Sequence, residues 1–159
     1  MILRGERAED RGAIRQVHLD SFPSRVEADL VDRLRADGDA VLSLMAQEAG
    51  QIAGHVLFSR MAFPAQALGL GPVAVLPAFR RRGIAAELIE TGLRQAAGQG
   101  WTLVFVLGAP AYYSRFGFSA ARAKDFSSPY AGQHFMACDL GAAEPGGRAE
   151  YAPAFAGLE

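Results

Sequence analysis

Apolar residues recur along the chain at two different spacings, and these spacings predict where its helices and strands lie. Intervals of three and four residues, which place side chains on one face of a helix, occur in three segments. They predict helices over residues 8–21, 25–38 and 84–98. Ser24 and Glu27 have the spacing of a capping box, which predicts that the second helix begins there.

Other segments are rich in β-branched and aromatic residues, which favour strands. The "EAGQ" segment between two of these runs contains a glycine and predicts a short hairpin turn. Pro110 suits the first turn of a short helix, and Gly117 suits its C-terminal turn. The predicted strands cover residues 2–4, 41–47, 52–61, 68–76, 103–107 and 134–140.

The order of these elements predicts one mixed α/β (α+β) domain over residues 1–159, with an irregular tail over about 141–159. A chain of 159 residues is long enough to bury a sizeable core without disulfides or metals. The segment 103–107 is continuously apolar, so we expect a central strand buried on both faces. Early hairpins, a strand-to-helix unit in the middle and late strands together favour a mixed sheet.

Composition narrows the classes of function. The net charge of −1 gives no general attraction to nucleic acid. The single cysteine, Cys138, excludes an intrachain disulfide and a cysteine-based metal cluster, which favours a reducing cytoplasm. The first ten residues lack the apolar core of a secretory signal. Residues 61–79 are uncharged, but the prolines and glycines within them argue against a membrane span.

The stretch "AVLPAFRRRGIAAELIETGL" is the most informative part of the sequence, because a helix begins there directly after a strand, a proline and three arginines. The start of a helix offers unpaired backbone N–H groups and the positive end of its dipole, which together bind phosphate. Gly83 allows close approach of a ligand, and Arg80 to Arg82 can grip phosphate with two donors each. A pyrophosphate cradle is therefore predicted; a solvated helix start and a nucleic-acid patch are the alternatives.

Two motifs in this region resemble those of the GNAT superfamily of acetyl-coenzyme A-dependent N-acetyltransferases. Residues 80–85, "RRRGIA", match its Q/R-x-x-G-x-G/A motif after a strand ending in Val75 and Pro77. "YYSRFGF", residues 112–118, resembles its Y-x-x-x-G-F segment. With "GHVLFS" and "GPVAVLP", the chain is most similar to a bacterial branch of the superfamily often named after YhbS. Ala109 departs from that branch, which commonly has an aspartate there.

The resemblance implies a splayed sheet of about six or seven strands flanked by about four helices, with acetyl-coenzyme A as cosubstrate and no metal. It implies that the pantetheine arm pairs with the end of the fourth strand and that the helix start holds the pyrophosphate. It assigns Tyr113 as the general acid that protonates the departing thiolate. The implied cofactor-binding residues are Val73, Ala74, Val75, Arg80, Arg81, Arg82, Gly83, Ile84, Ala85 and Phe116.

The general base is open at this point, and three residues are candidates. Glu27 could act directly or through water, although its capping-box position gives it a structural role instead. His55 lies in a predicted strand, where a satisfied structural histidine is the plainer interpretation, and His18 is expected at the surface. A chain of waters without a single base is a further alternative. Tyr112, and on a plainer interpretation Tyr113 as well, would be core aromatics.

Acetyl transfer to a primary amine by direct attack in a ternary complex is the function expected from the resemblance. The acceptor is an unidentified small-molecule or peptide amine, with neither nucleic acid nor membrane as partner, and a homodimer through the late strands is compatible with the sequence. One alternative is a coenzyme A-binding sensor or regulatory module without catalysis. Another is acyl transfer to a non-amine acceptor on the same fold, because a fold alone does not fix the function.

Overall fold

The computed structural model of the chain describes residues 1–158, and it describes side-chain surroundings as far as residue 156. A six-stranded sheet forms the centre of the molecule. Its main helices are α1 (Arg11–Ser21), α2 (Val26–Ala36) and α3 (Ile84–Gly98), and two short ones are α4 (Pro110–Tyr113) and α5 (Ala120–Ala123). The strands are β1 (Ile2–Gly5), β2 (Ala40–Glu48), β3 (Gln51–Arg60), β4 (Ala67–Val75), β5 (Leu103–Leu107), β6 (Phe126–Ser127), β7 (Phe135–Asp139) and β8 (Gly147–Arg148).

The sequence patterns locate the strands of the main sheet to within one or two residues and confirm the mixed α/β fold. The hairpin between β2 and β3 turns at Ala49 and Gly50, both with positive φ, as two-residue hairpins require. Gly117, at φ +95°, ends the short helical segment after β5 as expected. The strands β6 and β8 and the helix α5 were not predicted, because two to four residues are too few to show a periodicity.

The predicted capping box at the start of α2 is wrong. The helix begins at Val26, and the Ser24 hydroxyl accepts a hydrogen bond from the Val26 N–H at 3.3 Å. Glu27 lies within the first turn, and its Oε1 is buried with no hydrogen-bond partner in the described part of the chain. The box fails because the helix starts too late in the sequence for the Glu27 side chain to reach back to the Ser24 N–H.

The central feature of the sheet is a gap between β4 and β5. The strand order is β1-β2-β3-β4-β5-β7, and only the β4–β5 contact in this sheet is parallel. That contact spans three residue pairs, from Ala67 with Leu103 to Gly69 with Phe105. Beyond Gly69, β4 continues to Val75 while pairing with β3. The two central strands therefore diverge, and one edge of β4 is left free of β5.

Helices cover both faces of the sheet, and alternation along β3 directs its side chains to one face or the other. Gly54 lies under α3: a Cβ added there would lie 3.1 Å from Ile84 Cγ2. Leu57, on the opposite face, packs in a cluster with Leu34 of α2. The face covered by α3 carries the largest buried apolar cluster, and His55 lies on the face covered by α1 and α2, together with Leu57.

The C-terminal segment packs against the second face. Residues 141–158, predicted as mostly irregular, include β8 and a 3-10 helix, Pro153–Leu158. Tyr151 is buried, and its ring lies so close to Gly69 that a Cβ added there would be 2.7 Å from it. The tail thus covers the sheet at the last residue pair before β4 and β5 part.

Candidate active site

A cleft of about 450 Å³ lies at the open end of the gap between β4 and β5. The end of β4, the start of α3, the end of α1 and the helix α4 form its walls. Eight of its fourteen lining residues were predicted from the sequence as a cofactor site. The lining residues are Ser21, Phe22, Val73, Ala74, Val75, Phe79, Arg80, Arg81, Gly83, Ile84, Ala85, Ala86, Tyr112 and Arg115.

The start of α3 presents its backbone donors to this cleft. Gly83, the residue before the helix, has φ +77°, and Arg81 has φ +67°. The first bond of the helix runs from the Glu87 N–H to the Gly83 carbonyl at 3.1 Å. The N–H groups of Ile84, Ala85 and Ala86 therefore precede any intrahelical acceptor, as at every helix start. Such a set of donors, at the positive end of a 15-residue helix, suits an anion.

The three arginines of the motif differ in their contacts. Arg80 donates from Nε to the Val75 carbonyl at 3.0 Å and from Nη2 to the Ser21 carbonyl at 3.2 Å. It therefore ties the loop before α3 to β4 and to the end of α1. Arg82 lies over the Phe79 ring, 5.3 Å from its centroid, while Arg81 lines the cleft. Arg80 thus stabilises the loop before α3, whereas Arg81 contributes to the wall of the cleft.

The free edge of β4 supplies further backbone groups. The Leu76 N–H bonds to the Ala53 carbonyl of β3 at 2.8 Å, and alternation along β4 then turns the N–H groups of Val73 and Val75 away from β3. The Val75 carbonyl already accepts bonds from Ser21 and Arg80. Backbone polar groups need partners when a ligand or protein covers them, so this edge can pair with an extended amide-bearing chain.

The two tyrosines of α4 occupy different positions. Tyr112 lines the cleft, and the Arg115 guanidinium lies over its ring at 4.1 Å from the centroid. Tyr113 lies behind it, with ring centroids 5.0 Å apart, and is half-buried against Phe118. Its ring covers Gly108, where an added Cβ would lie 2.2 Å away. Burial, with a smaller contribution from Tyr112, raises the pKa of the Tyr113 phenol above its ordinary value near 10.

Phe116 and Glu27 are not among the described residues that line the cleft. Phe116 is half-buried and packs edge-on against the Tyr112 ring, with centroids 5.4 Å apart. It therefore supports the wall of the cleft rather than forming it. Glu27 lies in the first turn of α2, as described above.

The prediction that His18 lies at the surface is wrong, because the structure buries both it and His55 completely. His18 Nε2 lies 2.8 Å from His55 Nδ1, and His55 Nε2 lies 2.7 Å from the Ser43 hydroxyl. Burial lowers the pKa of His18 to about 4 and lowers that of His55 well below its ordinary value. The charge of Arg35 lowers the pKa of both rings further. His55 is thus buried in the core and hydrogen-bonded through both ring nitrogens.

A second cavity, of about 510 Å³, lies beside the C-terminal segment and away from the start of α3. Tyr130, Tyr151 and Phe155 give it an aromatic wall, and Arg148 and Glu150 lie at its rim, paired at 2.6 Å. The Tyr151 hydroxyl is buried without a hydrogen-bond partner in the described residues, and burial strongly raises its pKa. This cavity was not predicted, because the tail that forms it has no periodic sequence pattern.

The residues described contain no group of three or more His, Cys, Asp or Glu side chains placed to hold a metal ion. No helix among them is long and apolar enough to cross a membrane. Cys138 is buried in β7, and burial, followed by the charge of Asp139, raises the pKa of its thiol. A protonated, buried thiol is a poor nucleophile.

Comparisons with known proteins agree with the motifs. The model of the "Acetyltransferase (GNAT) family" matches residues 11–118. The N-acetyltransferase YjhQ of Escherichia coli strain K12 is 38% identical over 129 residues, covering 76% of this chain and 71% of YjhQ. The N-acetyltransferase YhbS of the same strain is 38% identical over 136 residues, covering 83% of this chain and 81% of YhbS.

Two solved structures extend the agreement to the whole fold. Escherichia coli YhbS in complex with CoA superposes with a TM-score of 0.89 at 34% identity, covering 98% of this chain and 91% of that one. A GNAT family acetyltransferase from Brucella melitensis in complex with acetyl-CoA gives a TM-score of 0.83 at 36% identity, covering 97% of both chains.

Proposed function

The chain belongs to the GNAT family of acetyltransferases, and on that basis we propose that it transfers the acetyl group of acetyl-CoA directly to a primary amine in a ternary complex. The observation that carries the proposal is the position of the α3 start at the mouth of the gap between β4 and β5. A diphosphate needs clustered donors, and a pantetheine arm needs a strand edge. The donors at the start of α3 and the free edge of β4 lie in this one cleft.

The residues present fit this cosubstrate. The N–H groups from Arg81 to Ala85 would hold the pyrophosphate, with Arg81 adding charge. A Cβ added at Gly83 meets no atom within 4 Å, so the space before the helix is open to a ligand. The free edge of β4 at Val73, Ala74 and Val75 would pair with the pantetheine amides as an added strand does.

The chemistry requires two proton movements and a polarised carbonyl. The thioester supplies an electrophilic carbonyl carbon and a thiolate leaving group. The neutral amine attacks that carbon, a C–N bond forms, and the C–S bond breaks. We assign Tyr113 to protonate the departing sulfur, because it lies next to Tyr112 at the wall of the cleft and its phenol carries a proton at neutral pH. The Val75 N–H, which alternation turns toward the gap, is a suitable donor to the carbonyl oxygen.

We propose a small-molecule or peptide amine as the acceptor. Isothermal titration with acetyl-CoA tests the cosubstrate without requiring the acceptor to be known. We expect a micromolar Kd, followed by release of free thiol when a panel of primary amines is added. Absence of binding at millimolar acetyl-CoA would refute the proposal. Binding without turnover on any amine would instead favour a coenzyme A-binding module.

A further inference from the structure

We propose that the cavity beside the C-terminal segment binds the amine acceptor, and that this acceptor is a primary arylalkyl amine without a carboxylate or a second amine. The inference rests on the proposed function, because it names the second substrate of the same reaction. The cavity has a volume of about 510 Å³, and none of its lining residues lines the cofactor cleft. One of them reaches the point where β4 and β5 part.

Tyr151 connects the cavity to the gap in the sheet. It lines the cavity, and its Cε1 would lie 2.7 Å from a Cβ added at Gly69. Gly69 and Phe105 form the last pair of the β4–β5 ladder, so the Tyr151 ring covers the closed end of the gap. A Cβ added at Gly71, two positions further along β4, meets no atom within 4 Å. The C-terminal segment therefore covers the sheet at Gly69, and open space follows at Gly71.

The proposed position of acetyl-CoA directs the acetyl group toward this end of the gap. The pyrophosphate would lie at the start of α3, and the pantetheine arm would follow the free edge of β4 back from Val75. That edge ends at Gly69, where the pairing with β5 stops. Tyr113, the proposed acid, covers Gly108, three positions after Phe105. The thioester would thus lie between the levels of Tyr113 and Gly69, beside the Tyr151 end of the cavity.

Leu107 adds an apolar side chain at the same level. Side chains alternate along β5, so Leu107 points to the same face as Phe105, which packs in one buried cluster with Tyr151. Leu107 is 43% exposed, whereas the other four residues of β5 are buried. An acceptor that extends from the cavity to the thioester would cover this side chain.

The wall of the cavity favours an aryl group. Tyr130, Tyr151 and Phe155 form it, and the Tyr151 ring contacts the other two with centroids 5.6 and 4.9 Å away. Aromatic rings pack edge-on or offset against one another, and such pairs add to the free energy of burying their area. The volume of about 510 Å³ lies in the usual range for small-molecule sites. A flat apolar ring is the group that such a wall binds best.

The charges at the cavity argue against other classes of amine. Arg148 and Glu150 are the only charged residues among those that line it, and they pair with each other at 2.6 Å. An amino-acid carboxylate would need a free cation, and a polyamine would need a free carboxylate, because an unpaired charge is costly to bury. The lining offers neither, so the part of the acceptor that enters the cavity is uncharged.

A panel of five amines tests the class of acceptor. Phenethylamine, hexylamine and ethylamine differ in their apolar group, phenylalanine adds a carboxylate, and spermidine adds further amines. Release of free thiol at saturating acetyl-CoA gives kcat/KM for each. Burial of the phenyl group should raise kcat/KM about 10- to 100-fold over ethylamine. Phenethylamine should also exceed hexylamine by about 2- to 10-fold, because the aromatic contacts add to area burial, and it should exceed phenylalanine and spermidine.

Two variants test whether the cavity is the site. Ala156 is exposed and lines the cavity, so Ala156→Trp should fill it from outside without disturbing the core. Phe155→Ala removes one ring of the wall. Each should lower the preference for phenethylamine over ethylamine about tenfold or more, with an unchanged Kd for acetyl-CoA. Ala97→Trp is the matched control, because Ala97 is an exposed alanine of α3 that lines neither the cavity nor the cofactor cleft.

The possible results separate this inference from the proposed function. Acetyl transfer to ethylamine as fast as to phenethylamine, or faster transfer to hexylamine, phenylalanine or spermidine, would overturn the arylalkyl amine and leave acetyl transfer intact. If neither Ala156→Trp nor Phe155→Ala lowered the preference, the cavity would be refuted as its site. Absence of acetyl-CoA binding, or binding without turnover of any of the five amines, would refute the function and the acceptor together.

Discussion

Replacing Gly83 with valine tests whether the start of α3 holds the pyrophosphate. Gly83 has φ +77°, a conformation that costs a residue with a Cβ about 1–2 kcal/mol. A Cβ there meets no protein atom within 4 Å, so the variant has no internal clash and should fold. Its side chain would instead occupy the space in front of the free N–H groups of the helix.

The expected loss of affinity follows from those donors. A hydrogen bond to a charged group contributes about 1.5–3 kcal/mol. Losing one of them corresponds to roughly a tenfold to hundredfold rise in Kd, at about 1.4 kcal/mol per tenfold change. Isothermal titration with acetyl-CoA measures this directly. We therefore expect Gly83→Val to bind acetyl-CoA at least about tenfold more weakly than the wild type does.

Gly38 provides a matched control for backbone strain. It has φ +79°, an added Cβ there also meets nothing within 4 Å, and it follows α2 outside the cleft. Both variants should lose about 1–2 kcal/mol of stability, a fall in Tm of roughly 2–8 °C for a chain of this size. Only Gly83→Val should lose affinity. An unchanged Kd for Gly83→Val, or an equal loss in Gly38→Val, would refute the cradle.

Three further predictions address the proposed acid, the core and the buried histidines. Tyr113→Phe should lower kcat at least about tenfold at an unchanged Kd for acetyl-CoA, and an unchanged kcat would remove its role as the acid. Gly92→Ala should destabilise the fold by about 1–3 kcal/mol, because the added Cβ would lie 2.2 Å from the Phe58 ring. Gly98→Ala in the same helix is the control: its Cβ meets no atom within 4 Å, so the free energy of unfolding should not fall. Folding lowers the pKa of His18 to about 4, so between pH 6.5 and 4 the unfolded chain binds a proton at His18 that the folded chain does not bind. The midpoint of urea unfolding should therefore decrease as the pH falls from 6.5 to 4, and it should decrease less in His18→Phe.

The cofactor cleft could be predicted from the sequence because it is built largely from the backbone. The strand 67–75, the loop after it and the start of α3 are consecutive in the chain, so local patterns determine their geometry. Gly83 and Pro77 mark where the strand must stop and the helix must start. The contact of Arg80 with the end of α1 could not be predicted from local sequence patterns, because it joins residues 59 positions apart.

The error over His18 has a specific cause. The buried residues of the first helix are Ile14, Val17 and His18. Position 18 is four residues after position 14 and so lies on the same face. The position of His18 among residues expected to be exposed favoured the surface, although its spacing matches that of the core residues. Its partners on β3 and β2 come from strand pairing, which the sequence does not reveal.

Burial shifts the pKa values of titratable groups in opposite directions on the two faces of the sheet. Tyr113 packs against the cluster under α3, while His18, on α1, contacts His55 on the face that α1 and α2 cover. Burial disfavours charge, so it raises the pKa of the phenol and lowers that of the imidazoles. At neutral pH the phenol therefore keeps its proton and the imidazoles stay neutral. We propose that the thioester would lie between β4 and β5, which part beyond Gly69, so that the Tyr113 phenol approaches the departing sulfur through the gap. A closed sheet would leave no space for that approach.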